Sequence, residues 1–128
     1  MPSIGDLIIG GLPPVTTQAL ANSLQHSAKP GAISEFTVLN FDQTTGYLIL
    51  LLDSVALPGN GAVIPIDQFF IPPATATVPG QLGVSYTPFP LQFKNGLWIA
   101  GSTTLTTSYT LALATNTKLA ISIKAQNG

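Results

Sequence analysis

The residues able to do chemistry in this chain are few and scattered. The one histidine, His26, sits between Gln25 and Ser27 just ahead of Lys29-Pro30-Gly31, so any histidine-based triad or His-rich metal site would have to use it. No such motif surrounds it, and a structural histidine is the leading reading. There is no cysteine, which removes thiol nucleophiles, thiolate metal sites and disulfides together. The acids Asp6, Glu35, Asp42, Asp53 and Asp67 stand apart and form no D-x-D-x-D-G calcium loop. Two carboxylates can still meet in space for glycoside chemistry, but nothing in the sequence points to a pair. Asp53 ends the most apolar run of the chain and precedes Leu57-Pro58 and Gly59-Asn60-Gly61. Its carboxylate is expected to accept hydrogen bonds from the N–H groups of that turn, with metal binding a distant second. Gly59-Asn60-Gly61 has no helix behind it with which to cradle a phosphate. Trp98, Tyr47, Tyr86 and Tyr109 are the aromatic candidates for ligand contact, and Trp98, between Leu97 and Ile99, reads first as a core or interface residue. No catalytic residue, metal ligand or cofactor is therefore assigned.

Composition points the same way. Only 7% of the 128 residues are charged and the net charge is -1, whereas an ordinary soluble domain is roughly 25% charged. The cations are Lys29, Lys94, Lys118 and Lys124, with no arginine and no basic stripe, so neither nucleic acid nor an anionic membrane is an expected partner. Interspersed charge normally keeps a diffusing monomer from associating. A chain that is 45% hydrophobic and otherwise coated with Ser, Thr, Asn and Gln is expected to spend its working life covered by neighbouring subunits. A secreted β-domain with a neutral coat is the bland alternative. Met1 to Asp6 holds no basic stretch of the kind that opens a signal peptide. The longest apolar run, Tyr47–Leu52, is far too short to cross a bilayer as a helix.

The elements that must position these residues are strands. Ile33, Phe36 and Val38 mark one run, and Tyr47 to Asp53, apolar at consecutive positions, is expected to be a central strand covered on both faces. Val63 to Ile71 reads as extended, with Pro65 implying an edge or a bulge. Leu82, Val84 and Tyr86 alternate with small polar residues as in a half-buried strand. Lys94-Asn95-Gly96 reads as a type I′ hairpin turn joining Leu91–Phe93 to Leu97–Ala100. Thr110, Ala112 and Ala114, and then Leu119, Ile121 and Ile123, alternate as two further strands with a turn at Asn116-Thr117-Lys118. Ser102 to Thr110 is uncharged and high in β-propensity, a stretch that needs protection or a partner. Thr17–Leu24 has the Thr cap and Ala/Leu content of one or two helical turns. About eight short strands bounded by Gly, Pro and Asn predict an all-β, single β-sandwich or jelly-roll-like domain over residues 21–128. Residues 1–20 are expected to form an extended N-terminal arm, with a short opening strand followed by a turn as the alternative; its Ile4, Leu7, Ile8, Ile9 and Leu12 are apolar but without period. Those five and Trp98 are the candidate partner contacts.

Two stretches carry a resemblance. The run Ala28-Lys29-Pro30-Gly31, then Gly46-Tyr47-Leu48-Ile49-Leu50-Leu51-Leu52-Asp53-Ser54, Leu57-Pro58 and Gly59-Asn60-Gly61-Ala62 resembles the opening of small β-sandwich structural proteins of tailed bacteriophages. Pro90 to Ala100, with Phe93-Lys94-Asn95-Gly96, followed by Ser102-Thr103-Thr104, is similar to a later stretch of the same proteins. The match covers roughly residues 21–124. It implies a non-enzymatic virion component, such as a capsid decoration (cement) protein, made in the host bacterial cytoplasm and assembled into the virion. Its implied partners are the major capsid protein or other virion proteins and further copies of itself, as a homo-oligomer. The alternative is a receptor- or glycan-binding β-sandwich of a tail fibre or head fibre. A hydrolase on a jelly roll comes third and would require His26 beside a carboxylate in a cleft.

Overall fold

The computed structural model describes residues 14–58, 64–103 and 118–127. Within them the chain is all-β, with nine strands and no helix: β1 (Val15–Leu20), β2 (Ser23–Ser27), β3 (Gly31–Asn40), β4 (Tyr47–Leu52), β5 (Asp67–Ile71), β6 (Gly80–Ser85), β7 (Leu91–Phe93), β8 (Leu97–Ser102) and β9 (Leu119–Asn127). They form two antiparallel sheets, one in the order β1-β9-β3-β6 with β7 also on β3, the other β2-β8-β4-β5. The two sheets share one core, a β-sandwich-like arrangement. Ile33, Phe36 and Val38 of β3 and Leu119, Ile121, Ile123 and Ala125 of β9 meet Tyr47, Ile49 and Leu51 of β4 and Leu97 and Ile99 of β8.

Strand β9 shows how the sequence writes this core. Its inward residues fall at every second position, the period of a pleated strand with one covered face. β3 breaks that rule, because Ile33 and Phe36, three apart, are both buried. The register explains it: Ile33 faces Ala125 and Glu35 faces Lys124, so Ser34 is an extra residue. That bulge returns the apolar set of β3 to the core side, from which a one-residue slip would have removed it. Phe36 then stacks obliquely on Phe69 of β5, with ring centroids 5.8 Å apart.

β4 is interior to its sheet, as its continuous apolar run requires. Tyr47, Ile49 and Leu51 point into the main core, while Leu50 and Leu52 form a second buried cluster with Ala100, against which Leu48, Leu57 and Trp98 pack. β5 lies at the sheet edge, and Pro65 precedes it by two residues; of the run expected over Val63 to Ile71, the strand takes Asp67–Ile71, and Val63 lies outside the described residues.

Two local expectations are corrected. Thr17–Leu24 is not helical: Thr17–Leu20 belongs to β1 and Ser23–Leu24 to β2, in opposite sheets. Helix propensity is a weak prior, and six consecutive pairings with β9 override it. The crossing between the sheets is held at Asn22, whose backbone carbonyl accepts from Gly101 N–H at 2.8 Å and whose Oδ1 accepts from Lys118 N–H at 3.2 Å. Lys94-Asn95-Gly96 is not a hairpin turn either. β7 pairs with β3 and β8 with β2 and β4, so the segment carries the chain from one sheet to the other. Among the described residues no non-glycine residue has positive φ, which a type I′ turn would demand of Asn95.

Of the arm expected over residues 1–20, residues 1–13 lie outside the described residues, and Val15–Leu20 is strand β1. The expected Thr110–Ala114 strand, the Gly59-Asn60-Gly61 turn and most of the Thr-rich stretch after Ser102 also lie outside them.

Candidate functional site

The polar residues singled out from the sequence fasten loops. Asp53 follows the last residue of β4, and its carboxylate accepts from the backbone N–H of Lys94 at 2.8 Å, of Asn95 at 2.7 Å and, more weakly, of Gly96 at 3.3 Å. Its role is of the expected kind, on a different turn: the crossover from β7 to β8, more than forty residues away in sequence. Partial burial pulls the Asp53 pKa upward, but the three N–H donors and the Lys94 charge outweigh it and hold the carboxyl below its ordinary value. Gly96 is required here by close approach. A Cβ on it would lie 2.6 Å from the Ser54 carbonyl oxygen and 2.7 Å from that of Ser27.

Asp42 lies beyond the other end of β4, in the loop that leaves β3. One carboxylate oxygen accepts from Thr44 N–H at 2.9 Å, Thr44 Oγ1 at 2.9 Å and Thr45 N–H at 3.1 Å; the other accepts from the Tyr47 hydroxyl at 2.9 Å. These donors, led by Thr44 N–H, bring its pKa down to about 2. Burial, reinforced by the Asp42 carboxylate, pushes Tyr47 up to about 12. Beneath the loop Asn40 is fully buried and saturated: its amide donates to the Thr45 and Pro72 carbonyls and its Oδ1 accepts from Asp42 N–H. Asp67 accepts from the Tyr86 hydroxyl at 2.7 Å, a bond between the two sheets, and Tyr86 is raised by burial first and by Asp67 second. Glu35 faces Lys124 at 4.0 Å on an exposed surface. Asp6 lies outside the described residues.

Among the described residues, the two carboxylates that fasten loops stand at opposite ends of β4. Asp42 and Asp53 are separated by the six residues of β4, about 20 Å at strand rise. His26 is the extra residue of a bulge in β2, between Gln25 opposite Trp98 and Ser27 opposite Leu97. Among the described residues no three His, Cys, Asp or Glu side chains gather to hold a metal ion. Of the aromatic candidates, Tyr47 is buried, Tyr86 is half-buried with its hydroxyl on Asp67, and Trp98 is half-buried with its indole N–H on the Val55 carbonyl at 3.4 Å. Tyr109 lies outside the described residues. So do the candidate contacts Ile4, Leu7, Ile8, Ile9 and Leu12; Trp98, the remaining one, packs on the second buried cluster.

What the fold leaves available is surface. The outward rows of the first sheet read Thr16, Lys124, Glu35, Ser85; then Gln18, Ser122, Thr37, Gly83; then Leu20, Ala120, Leu39, Gln81. One ion pair at one end gives way to small hydroxyls and then to aliphatic side chains. A shallow groove of about 410 Å3 runs over Gln18, Leu20, Thr37, Leu39, Ala120 and Ser122. Leu20 is 70% exposed and Phe89, between two prolines, 85%. The sequence reading did not single out either. For Leu20 the signal was its position in a strand mistaken for helix; for Phe89 it was the Pro88 and Pro90 that keep it off any sheet.

Comparison with protein-family models, with curated proteins and with solved structures returned no match in any of the three.

Proposed function

We propose that this chain is a non-enzymatic structural protein of a tailed-phage virion, acting as a capsid decoration (cement) protein that binds the major capsid protein shell and stabilises it through contacts between subunits. The observation that carries this reading is the nesting of the strands. Among the described strands, with the short β7 set aside, the first pairs the last (β1 with β9), the second the second-last (β2 with β8), β3 pairs β6 and β4 pairs β5. We read this nesting as the order that rolling up one long antiparallel hairpin would produce, a jelly roll, an architecture of viral capsid and lectin domains.

Fold alone does not assign function, so the choice within that class rests on the surface. A chain only 7% charged, with Val15, Leu20, Phe41, Phe70 and Phe89 exposed, suits a place where neighbours cover it. The phage assignment rests on the sequence resemblance. A glycan-binding fibre domain is the weaker reading, because Tyr47, Tyr86 and Trp98 have their rings or polar atoms engaged within the fold.

The test is the copy number of this chain in purified particles of the phage that encodes it, by quantitative mass spectrometry against the major capsid protein. A ratio near one per capsid subunit is expected. A few copies per hundred would move the protein to the tail, portal or fibres, and absence from the particle would refute the structural role.

A further inference from the structure

An edge strand leaves a row of backbone N–H and C=O groups open to other chains, and proteins blunt such edges with prolines, bulges, charges or short strands. Among the described residues, the edges are β1 and the β6/β7 side of one sheet, and β2 and β5 of the other. Three of the four are blunted. β2 bulges at His26. β5 opens on Asp67 and is bracketed by Pro65 and Pro72-Pro73. The opposite edge of the first sheet is broken into β6 and the three-residue β7, with Pro88 and Pro90 between them, and Tyr86 ties it to Asp67.

Pro13-Pro14 precede β1, but the strand itself carries no proline, bulge or charge. Val15-Thr16-Thr17-Gln18-Ala19-Leu20 has no charge, proline or glycine, and five of its six residues are exposed. Its register against β9 runs without a shift from Val15–Ala125 to Leu20–Ala120, so the strand is regular along its whole length. No strand among the described residues pairs with its outer side.

We infer that β1 is an interaction edge at which a second copy of this chain adds its own β1, antiparallel, continuing the sheet across a two-fold axis. The choice of a second copy follows from self-complementarity. An uncharged strand meets its own image without like-charge repulsion, and a charged foreign strand would find nothing on it to pair with. A two-fold axis perpendicular to the sheet sets outward residues opposite outward residues. Centred on Gln18, it faces Gln18 with Gln18 of the second copy, where each amide both donates and accepts. It also sets Thr16 opposite Leu20 of the second copy, shielding the most exposed aliphatic residue of the strand. Six residues of pairing fall short of the roughly 1,200–2,000 Å2 of a stable interface. The dimer of the isolated protein is therefore weak, and it becomes permanent only where a lattice holds copies side by side. That last clause rests on the assembly role proposed above; the edge itself does not.

The test is sedimentation equilibrium of the full chain over a wide concentration range, for the wild type, Gln18→Lys and Gln18→Glu, with urea midpoints confirming that each variant is folded. The wild type is expected to dimerise with concentration. Each variant alone should weaken dimerisation by about tenfold or more, since like charges then face one another, and an equimolar mixture of the two should restore it. A wild type that stays monomeric, or a dimer indifferent to both substitutions, overturns the inference. A wild-type monomer present at capsid stoichiometry in particles would overturn the edge and leave the decoration role standing. A Gln18-dependent dimer absent from particles would do the reverse.

Discussion

Removing the Asp53 carboxylate should destabilise the fold without touching its core. Asp53 closes a contact between loops more than forty residues apart, holding the β7–β8 crossover through bonds of 2.8 and 2.7 Å and a weaker one of 3.3 Å. In Asp53→Ala the two good charge-assisted bonds are lost, and the freed N–H groups sit at a partly exposed corner where water replaces some of what is lost. Charge-assisted bonds contribute about 1.5–3 kcal/mol each when well shielded. At partial exposure the pair amounts to about 2–3 kcal/mol, close to the upper range for loss of a helix cap. For a domain of this size that corresponds to roughly 10 °C in Tm. Asp53→Asn keeps one acceptor oxygen but turns an NH2 group toward the N–H of Lys94 or Asn95, so it should recover less than half of the loss. Urea unfolding followed by tryptophan fluorescence suits the measurement, because Trp98 lies on the strand that the crossover feeds. The midpoint should fall with an unchanged slope. The lowered folded-state pKa makes the contribution full above the unfolded carboxyl pKa and progressively lost as pH falls through the folded value. The gap between wild type and Asp53→Ala should therefore close in acid. A midpoint shift worth less than about 0.5 kcal/mol at neutral pH, the range of an ordinary surface substitution, would refute the capping role.

Three further outcomes follow from the geometry. Asp42, with an ordinary pKa of 3.8 lowered to about 2, stabilises the fold at neutral pH and should lose that contribution between about pH 4 and pH 2; Asp42→Asn should flatten this part of an acid-unfolding curve followed by circular dichroism. Gly96→Ala would drive its methyl into two backbone carbonyls that cannot rotate away, and a loss of about 1–3 kcal/mol in urea unfolding is expected. Phe36→Ala would remove a fully buried ring that touches Phe69 and Tyr86, with an expected cost of about 3–5 kcal/mol.

Strands whose partners impose a simple period were legible in the sequence. Leu119, Ile121 and Ile123 of β9 and Leu82 and Val84 of β6 each face one core and show it by alternation, and β4 shows its two covered faces by having none. What failed was local inference where a distant group decides the outcome. Ala19, Leu20 and Leu24 look helical until β9, a hundred residues further on, supplies the ladder for β1. Asn95-Gly96 looks like a hairpin until Asp53 takes the amide hydrogens of the turn and sends the chain to the other sheet. The bulges at Ser34 and His26 were equally invisible, since an extra residue has meaning only against a partner strand.

The candidate surface was less legible than the fold for a related reason. Low charge raised the expectation that neighbours cover this chain, but composition has no address. An address appears only when strands are given edges, because protection at three of them is what makes its lack at β1 informative. Pro65 was read from the sequence as the mark of an edge or a bulge; in the fold it precedes the β5 edge, Pro72-Pro73 follow it, and Pro88 and Pro90 flank the β6/β7 edge, positions at which proline disfavours further pairing. Val15–Leu20, free of proline and charge, was read as part of an arm and a fragment of helix. The same absence of polar constraint that made its conformation ambiguous in sequence leaves it, once paired to β9, as the most open edge among the described strands.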